Sequence, residues 1–165
     1  MKALKSLAVI LVVSSVLSGC EKWKDLIHKE KEKEKEEEKK VWVAENLPMS
    51  GLQEVPQRET RASGSIDARY HKESKTLSYT VKWTELTGNP VGAHIHGVAP
   101  RGVNAGIKHD FFAIFPKTAS GTFTNSVVVD GVAIKEDSLV KGFYYFNIHT
   151  PKFPGGEIRG QLEFK

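Results

Sequence analysis

Leu77-Ser78-Tyr79-Thr80-Val81-Lys82-Trp83-Thr84 alternates apolar and polar side chains without a break. Successive side chains of an extended chain point to opposite faces, so Leu77, Tyr79, Val81 and Trp83 share one face of a half-buried strand. Upstream, Ile66, Ala68 and Tyr70 fall on a common face, and the polar His71-Lys72-Glu73-Ser74 supplies the turn of a hairpin. Downstream, residues 93–98, 111–115, 122–130, 143–150 and 157–164 read as further strands, punctuated by Thr87-Gly88-Asn89-Pro90, Asp130-Gly131 and Pro154-Gly155-Gly156. No long helical pattern follows residue 40. Short strands at this spacing predict an all-β fold, an antiparallel β-sandwich or Greek-key-like barrel.

Outward from this domain, toward the N-terminus, the composition changes twice. Residues 21–40, EKWKDLIHKEKEKEKEEEKK, hold eight basic and eight acidic side chains and are almost purely charged from Lys29 on. Such a stretch cannot bury enough apolar surface to fold on a core, so it reads as a spacer. Opposite charges fall at i,i+3 (Lys31/Glu34) but like charges at i,i+4 (Lys31/Lys35), which leaves its helicity open. His28 lies among these solvated charges.

Before the spacer come Lys2 and Lys5, an apolar run from Leu7 to Leu17, and then Leu17-Ser18-Gly19-Cys20. A positive start, a short apolar stretch and a small-residue end make a signal peptide, and the run is short of the roughly 20 residues a membrane span requires. Leu17-Ser18-Gly19-Cys20 resembles the bacterial lipobox. The resemblance implies cleavage before Cys20, diacylglycerol on its thiol and acylation of the new amino group. Cys20 is the single cysteine of the chain, so it has no intramolecular disulfide partner. The expected organisation is a signal peptide over 1–19, a lipidated cysteine and charged linker over 20–40, and one β domain over 41–165. The expected location is the cell envelope, membrane-anchored and facing out of the cytoplasm.

The net charge of +4 is not a nucleic-acid footprint. From Val41 to Lys165, 14 basic residues stand against 12 acidic ones, and no basic stripe is interleaved with aromatics.

Met49-Ser50-Gly51-Leu52-Gln53-Glu54-Val55-Pro56, Gly92-Ala93-His94-Ile95-His96-Gly97, and Asn147-Ile148-His149-Thr150 followed by Phe153-Pro154-Gly155-Gly156-Glu157-Ile158-Arg159-Gly160-Gln161-Leu162 appear in that order. Together they resemble the CHRD family, named from chordin, over about Leu47 to Phe164. The resemblance implies a β-sandwich or barrel module found in exported microbial proteins. It implies little about activity. The chain departs from the family pattern at Gln57 and in the charged Lys108-His109-Asp110 stretch.

The polar residues of these motifs are candidates for a site. His94 and His96, two apart on a strand, leave the same face, opposite Ala93 and Ile95. By the same parity Tyr144, Phe146 and Ile148 turn inward and Tyr145, Asn147 and His149 outward. On the last strand Ile158, Leu162 and Phe164 turn inward, and Glu157, Arg159 and Gln161 outward. If these strands are neighbours, the histidines converge with Tyr145, Asn147, Glu157 and Arg159 beside them. Two readings follow. The histidines and an Arg159/Glu157 pair could bond the backbone of the glycine-rich loop near residues 90–106. Alternatively His94, His96 and His149 could supply three nitrogen ligands with one open position, suiting copper or zinc, with Tyr145, Asn147, Glu157 and Arg159 supporting them. The His-x-His strand is also similar to the copper strand of Cu/Zn superoxide dismutases. That family's bridging histidine and zinc aspartate are not recognisable here, and one cysteine cannot form its disulfide.

No Gly-x-Ser-x-Gly elbow, phosphate-binding glycine loop or His-Glu-x-x-His appears. The expectation is therefore a noncatalytic module whose partners are the membrane, through its lipid, and an envelope protein or glycan. Trp42, Phe111, Phe112 and Phe115 are candidate contact residues, though aromatics of this kind more commonly fill a core.

Overall fold

The computed structural model describes residues 20–38 and 40–165; the signal peptide read over 1–19 lies outside them. The chain divides into an N-terminal unit ending at Glu37 and a second unit from Glu38 to Lys165. Helix α1 spans Cys20–Glu38, all but its last residue in the first unit. The linker is thus helical over Cys20–Glu38, as lysine and glutamate permit through their high helix propensity. His28 and Glu32 approach to 3.6 Å at i,i+4 on its exposed surface.

The second unit is one eight-stranded antiparallel sheet: β1 (Val41–Ser50), β2 (Ser63–His71), β3 (Thr76–Thr84), β4 (Gly92–Gly97), β5 (Ile107–Asp110), β6 (Gly121–Val128), β7 (Tyr144–His149) and β8 (Ile158–Leu162). Their spatial order is β5-β4-β7-β8-β1-β2-β3-β6, and the sheet curls into a nearly closed barrel, as the alternation predicts. The β2/β3 hairpin has the expected register, Ile66 opposite Val81 and Tyr70 opposite Leu77. A bulge between Ala44 and Leu47 interrupts β1. There Asn46 takes a positive φ of 52°, and its backbone N–H donates to Asp67 Oδ1 at 2.8 Å, which holds the Asp67 carboxyl below its ordinary pKa.

One predicted strand is corrected. Residues 111–115 form a 3-10 turn over Phe112–Ile114, and the strand is the charged Ile107–Asp110 just before it. The aromatics are needed elsewhere. Between the outer strands β5 and β6, Phe111 stacks on Phe123 of β6 at 5.6 Å, and Phe115 stacks on Trp83 of β3 at 4.4 Å. Side-chain packing thus bridges the gap in the barrel wall. Phe111 and Phe115 are accordingly core residues and Phe112 packs against them. Of the candidate contact aromatics only Trp42 stays substantially exposed, edge-on to Phe164.

The inward parities hold. Ile66, Tyr70, Leu77, Val81, Ile95, Tyr144, Phe146, Ile148, Ile158 and Leu162 form the buried core, with Tyr79 against Phe146 at 4.9 Å across the barrel. On β7 and β8 the outward-turned residues do lie on the face away from the core, but that face is covered. Tyr145, Asn147, Arg159 and Gln161 are 1–3 % exposed, so the second face of these strands is buried as well. Period two separates the faces of a strand, but it does not say whether a loop covers the outer one.

Candidate functional site

The register places the histidines. His94 on β4 lies opposite Asn147 on β7, His96 opposite Tyr145, and Gly92 opposite His149. On the other side of β7, Tyr145 faces Gln161 and Asn147 faces Arg159 on β8. Three adjacent strands therefore lay one polar row beneath the segment 98–106. That segment's carbonyls explain why the row is polar. Arg159 donates to Val103 O (3.1 Å), Gln161 Nε2 to Ala99 O (3.1 Å) and Gly142 O (2.7 Å), and His96 Nδ1 to Ala105 O (2.8 Å). Tyr145 accepts from Ala105 N and donates to Ala105 O. Loop backbone groups removed from water require such partners. The same residues form a ring stack, His96 parallel to Tyr145 at 4.9 Å with the Arg159 guanidinium 3.4 Å from the Tyr145 ring centre.

Glu157 does not join this row and does not pair with Arg159. Its carboxylate accepts from Thr60 Oγ1 (2.6 Å), Thr87 N (3.1 Å), Thr87 Oγ1 (2.9 Å) and Thr150 Oγ1 (2.7 Å), tying three chain segments together. It sits at a bend just before the first residue of β8, beyond the last β7/β8 pair, Ile148 and Ile158, so strand alternation no longer carries it toward the histidines.

One nitrogen from each of His94, His96 and His149 lies within 4.8 Å of the other two. His149 Nδ1 donates to Pro154 O at 2.8 Å. Together with the His96–Ala105 bond, this fixes the protons of both rings on Nδ1 and leaves both Nε2 atoms unprotonated. His96 Nε2 is buried with no hydrogen-bond partner among the described residues. His94 Nδ1 stands 3.0 Å from His149 Nε2, and the Asn147 amide lies 3.0 Å from the same nitrogen. The remaining His94 nitrogen, Nε2, is 3.8 Å from Asp110. Gly92 makes room for the pair, since a β-carbon there would sit 3.0 Å from the His94 ring and 3.2 Å from the His149 ring.

Burial pushes His94 down to about 4, helped by His149 and opposed by Asp110. Burial also lowers His96, against the pull of the Ala105 bond, and His149, against that of Pro154. All three rings are therefore neutral at pH 7, the form that ligates metal.

A residue not singled out by the sequence reading completes the surroundings. Glu54 is 4 % exposed, and burial raises its carboxyl to about 7 despite Arg159, the Asn147 amide and Arg58. One of its oxygens has no hydrogen-bond partner among the described residues. It fits only because residue 156 is glycine, where a β-carbon would lie 2.2 Å from Glu54 Oε1.

These shifts predict an acid-sensitive metal-free domain. An imidazole whose folded pKa is depressed loses stability for the fold as pH falls, because the unfolded chain takes up the proton first. For His94 the window runs from about 6.5 down to about 4, and His96, His149 and His109 act in the same direction. Glu54 opposes them, since its raised pKa removes stability as pH rises from about 4.5 through 7. The expected result in chelator is a melting temperature that falls from pH 7 to pH 4.5, more steeply in Glu54→Gln. A flat profile by circular dichroism would contradict the depressed imidazoles.

A sequence profile of the CHRD domain matches residues 46–162. The chain belongs to the CHRD family. Comparison with curated proteins and with solved structures returned no match. CHRD is a non-catalytic domain family, which supports a binding or structural module over the matched residues 46–162. Within its CHRD domain the match begins at the β1 bulge and ends at the last residue of β8, so it takes in Glu54, the three histidines and the polar row.

Proposed function

We propose that this CHRD protein is a noncatalytic lipoprotein of the cell envelope, tethered through Cys20, whose domain binds copper or zinc through His94, His96 and His149. The metal reading rests on one observation: three imidazole nitrogens converge within 4.8 Å while backbone carbonyls hold the opposite nitrogens of His96 and His149. Outer hydrogen bonds of this kind fix the ring orientation of histidine ligands. Three nitrogens with one further position open suit zinc or copper. The Asn147 amide stands beside that position, and the Asp110 carboxylate lies 3.8 Å from His94 Nε2. Calorimetric titration of chelator-treated protein with copper(II) and zinc(II) tests this; one ion per chain is expected, and no binding would refute it.

The tether reading rests on the lipobox-like sequence and the sole thiol. Among the described residues no helix is long and apolar enough to cross a membrane, and two or three acyl chains anchor a protein stably where one is marginal. Cys20→Ala is expected to abolish incorporation of labelled fatty acid and release the protein from the membrane fraction with its domain folded. Label retained by the variant would sink the assignment.

A second reading, contact with an envelope protein or glycan, is favoured by an open groove of about 890 Å³ lined in part by Leu52, Arg58, Thr60, Arg61, Thr87 and Lys152. Arg58, Arg61 and Lys152 line it beside Glu59 and Glu85, so it offers mixed charge to a polar partner, and occupation of this groove is compatible with metal at the histidines.

A further inference from the structure

We propose that the first two turns of α1 lie in the lipid headgroup layer, with Trp23, Leu26 and Ile27 as an interfacial foot beside the lipidated Cys20. The proposal rests on the lipoprotein reading and extends it from a single anchored atom to a surface. Trp23, Leu26 and Ile27 are 69 %, 53 % and 49 % exposed, and their i, i+3, i+4 spacing gathers them on one face of a helix. Tryptophan has an apolar body and a polar N–H, the combination enriched at membrane interfaces. Lys24 is exposed nearby, with a stem long enough to lie along the apolar layer while its ammonium stays in water.

The occupant follows from position. Trp23 is three residues from Cys20, about 4.5 Å along the helix axis, so an acylated Cys20 brings this face to the bilayer surface before it can meet anything else. A second copy of the chain is a poor alternative. An α-helical seam needs apolar residues continuing at the same spacing, and residues 29–40 are all lysine or glutamate. Residues 21–27 carry two lysines against one glutamate and one aspartate, so the contact is apolar and does not call for anionic lipid. The charged remainder of α1 then leads out of the interface into water.

The test uses the full chain from Cys20, with Trp42→Phe to leave Trp23 and the buried Trp83 as fluorophores. Its single thiol is coupled to a maleimide phospholipid in phosphatidylcholine vesicles, with or without brominated acyl chains. Trp23 emission is expected to shift to the blue and to be quenched by bromine. Both effects should vanish in Leu26→Ser/Ile27→Ser at equal coupling, and quenching should be absent when Trp23→Phe is added. Water-like, unquenched Trp23 emission, or quenching indifferent to the serine pair, would overturn the proposal. Because the lipid is attached chemically, this result is independent of whether cells acylate Cys20, which the fatty-acid label decides.

Discussion

Ile158→Asp is expected to leave the domain unfolded, and Phe146→Asp likewise. Ile158 is fully buried, opposite Ile148 in the β7/β8 ladder, and Phe146 is equally enclosed, with its ring 4.9 Å from Tyr79. A carboxylate at either position would be enclosed in the hydrophobic core. Burying it unpaired costs several kcal/mol, against the roughly 5–15 kcal/mol that holds a domain together. Far-UV circular dichroism should show loss of the native sheet signal at 25 °C, and cooperative native melting in both variants would overturn the core assignment. Gln161→Ala is the informative comparison. From strand parity alone it should be nearly silent, but the side chain is buried and its amide serves Ala99 O and Gly142 O. Leaving buried partners unsatisfied costs about 1–3 kcal/mol, so a melting temperature clearly below that of the parent is expected.

The contrast between these positions shows what the sequence carries. Alternation along 77–84 and 143–150 separates two faces, and the core-facing halves of both strands are where that pattern puts them. His94, His96 and His149 share the opposite face for the same reason, and β4 and β7 are hydrogen-bonded neighbours. What alternation cannot carry is the cover over that face. Arg159 and Gln161 look like surface residues because they are polar, whereas their polarity satisfies carbonyls of a segment more than fifty residues away in sequence. Parity also lapses where the strand ends: Glu157 sits at a bend before β8 and bonds three threonines instead of reaching the histidines. Phe111 and Phe115 read as strand because aromatics favour strands, yet they fill the seam between β3, β6 and the end of β5, a tertiary demand that overrides local propensity. Glu54 stood within a family motif without a periodicity to mark it, so its burial beside Asn147 had no local signature.

Copper(II) or zinc(II) is expected to raise the melting temperature of chelator-treated protein substantially, and His96→Ala or His149→Ala to remove that increase. An ion that binds only the folded chain stabilises it by mass action, about 2.7 kcal/mol at a free concentration one hundred times Kd. For a domain of this size that corresponds to a shift on the order of 10 °C. The site is suited to such linkage because its ligand atoms come from β4 and from β7, residues 94, 96 and 149, which the unfolded chain holds far apart. His96 should matter most to affinity. Its Nε2 is buried and has no hydrogen-bond partner among the described residues, so ligation costs it no existing contact, whereas His94 and His149 must first exchange their 3.0 Å contact for the ion. Calcium and magnesium, which prefer oxygen donors, should leave the melting temperature unchanged. Differential scanning calorimetry at pH 7.5, with chelator added back to reverse the shift, separates site binding from surface effects. If the increase survives in the His96→Ala/His149→Ala double variant, the ion sits elsewhere. If no metal raises the melting temperature of the parent, the three imidazoles serve the fold alone, as hydrogen-bonding supports for the segment 98–106 and the Pro154 turn.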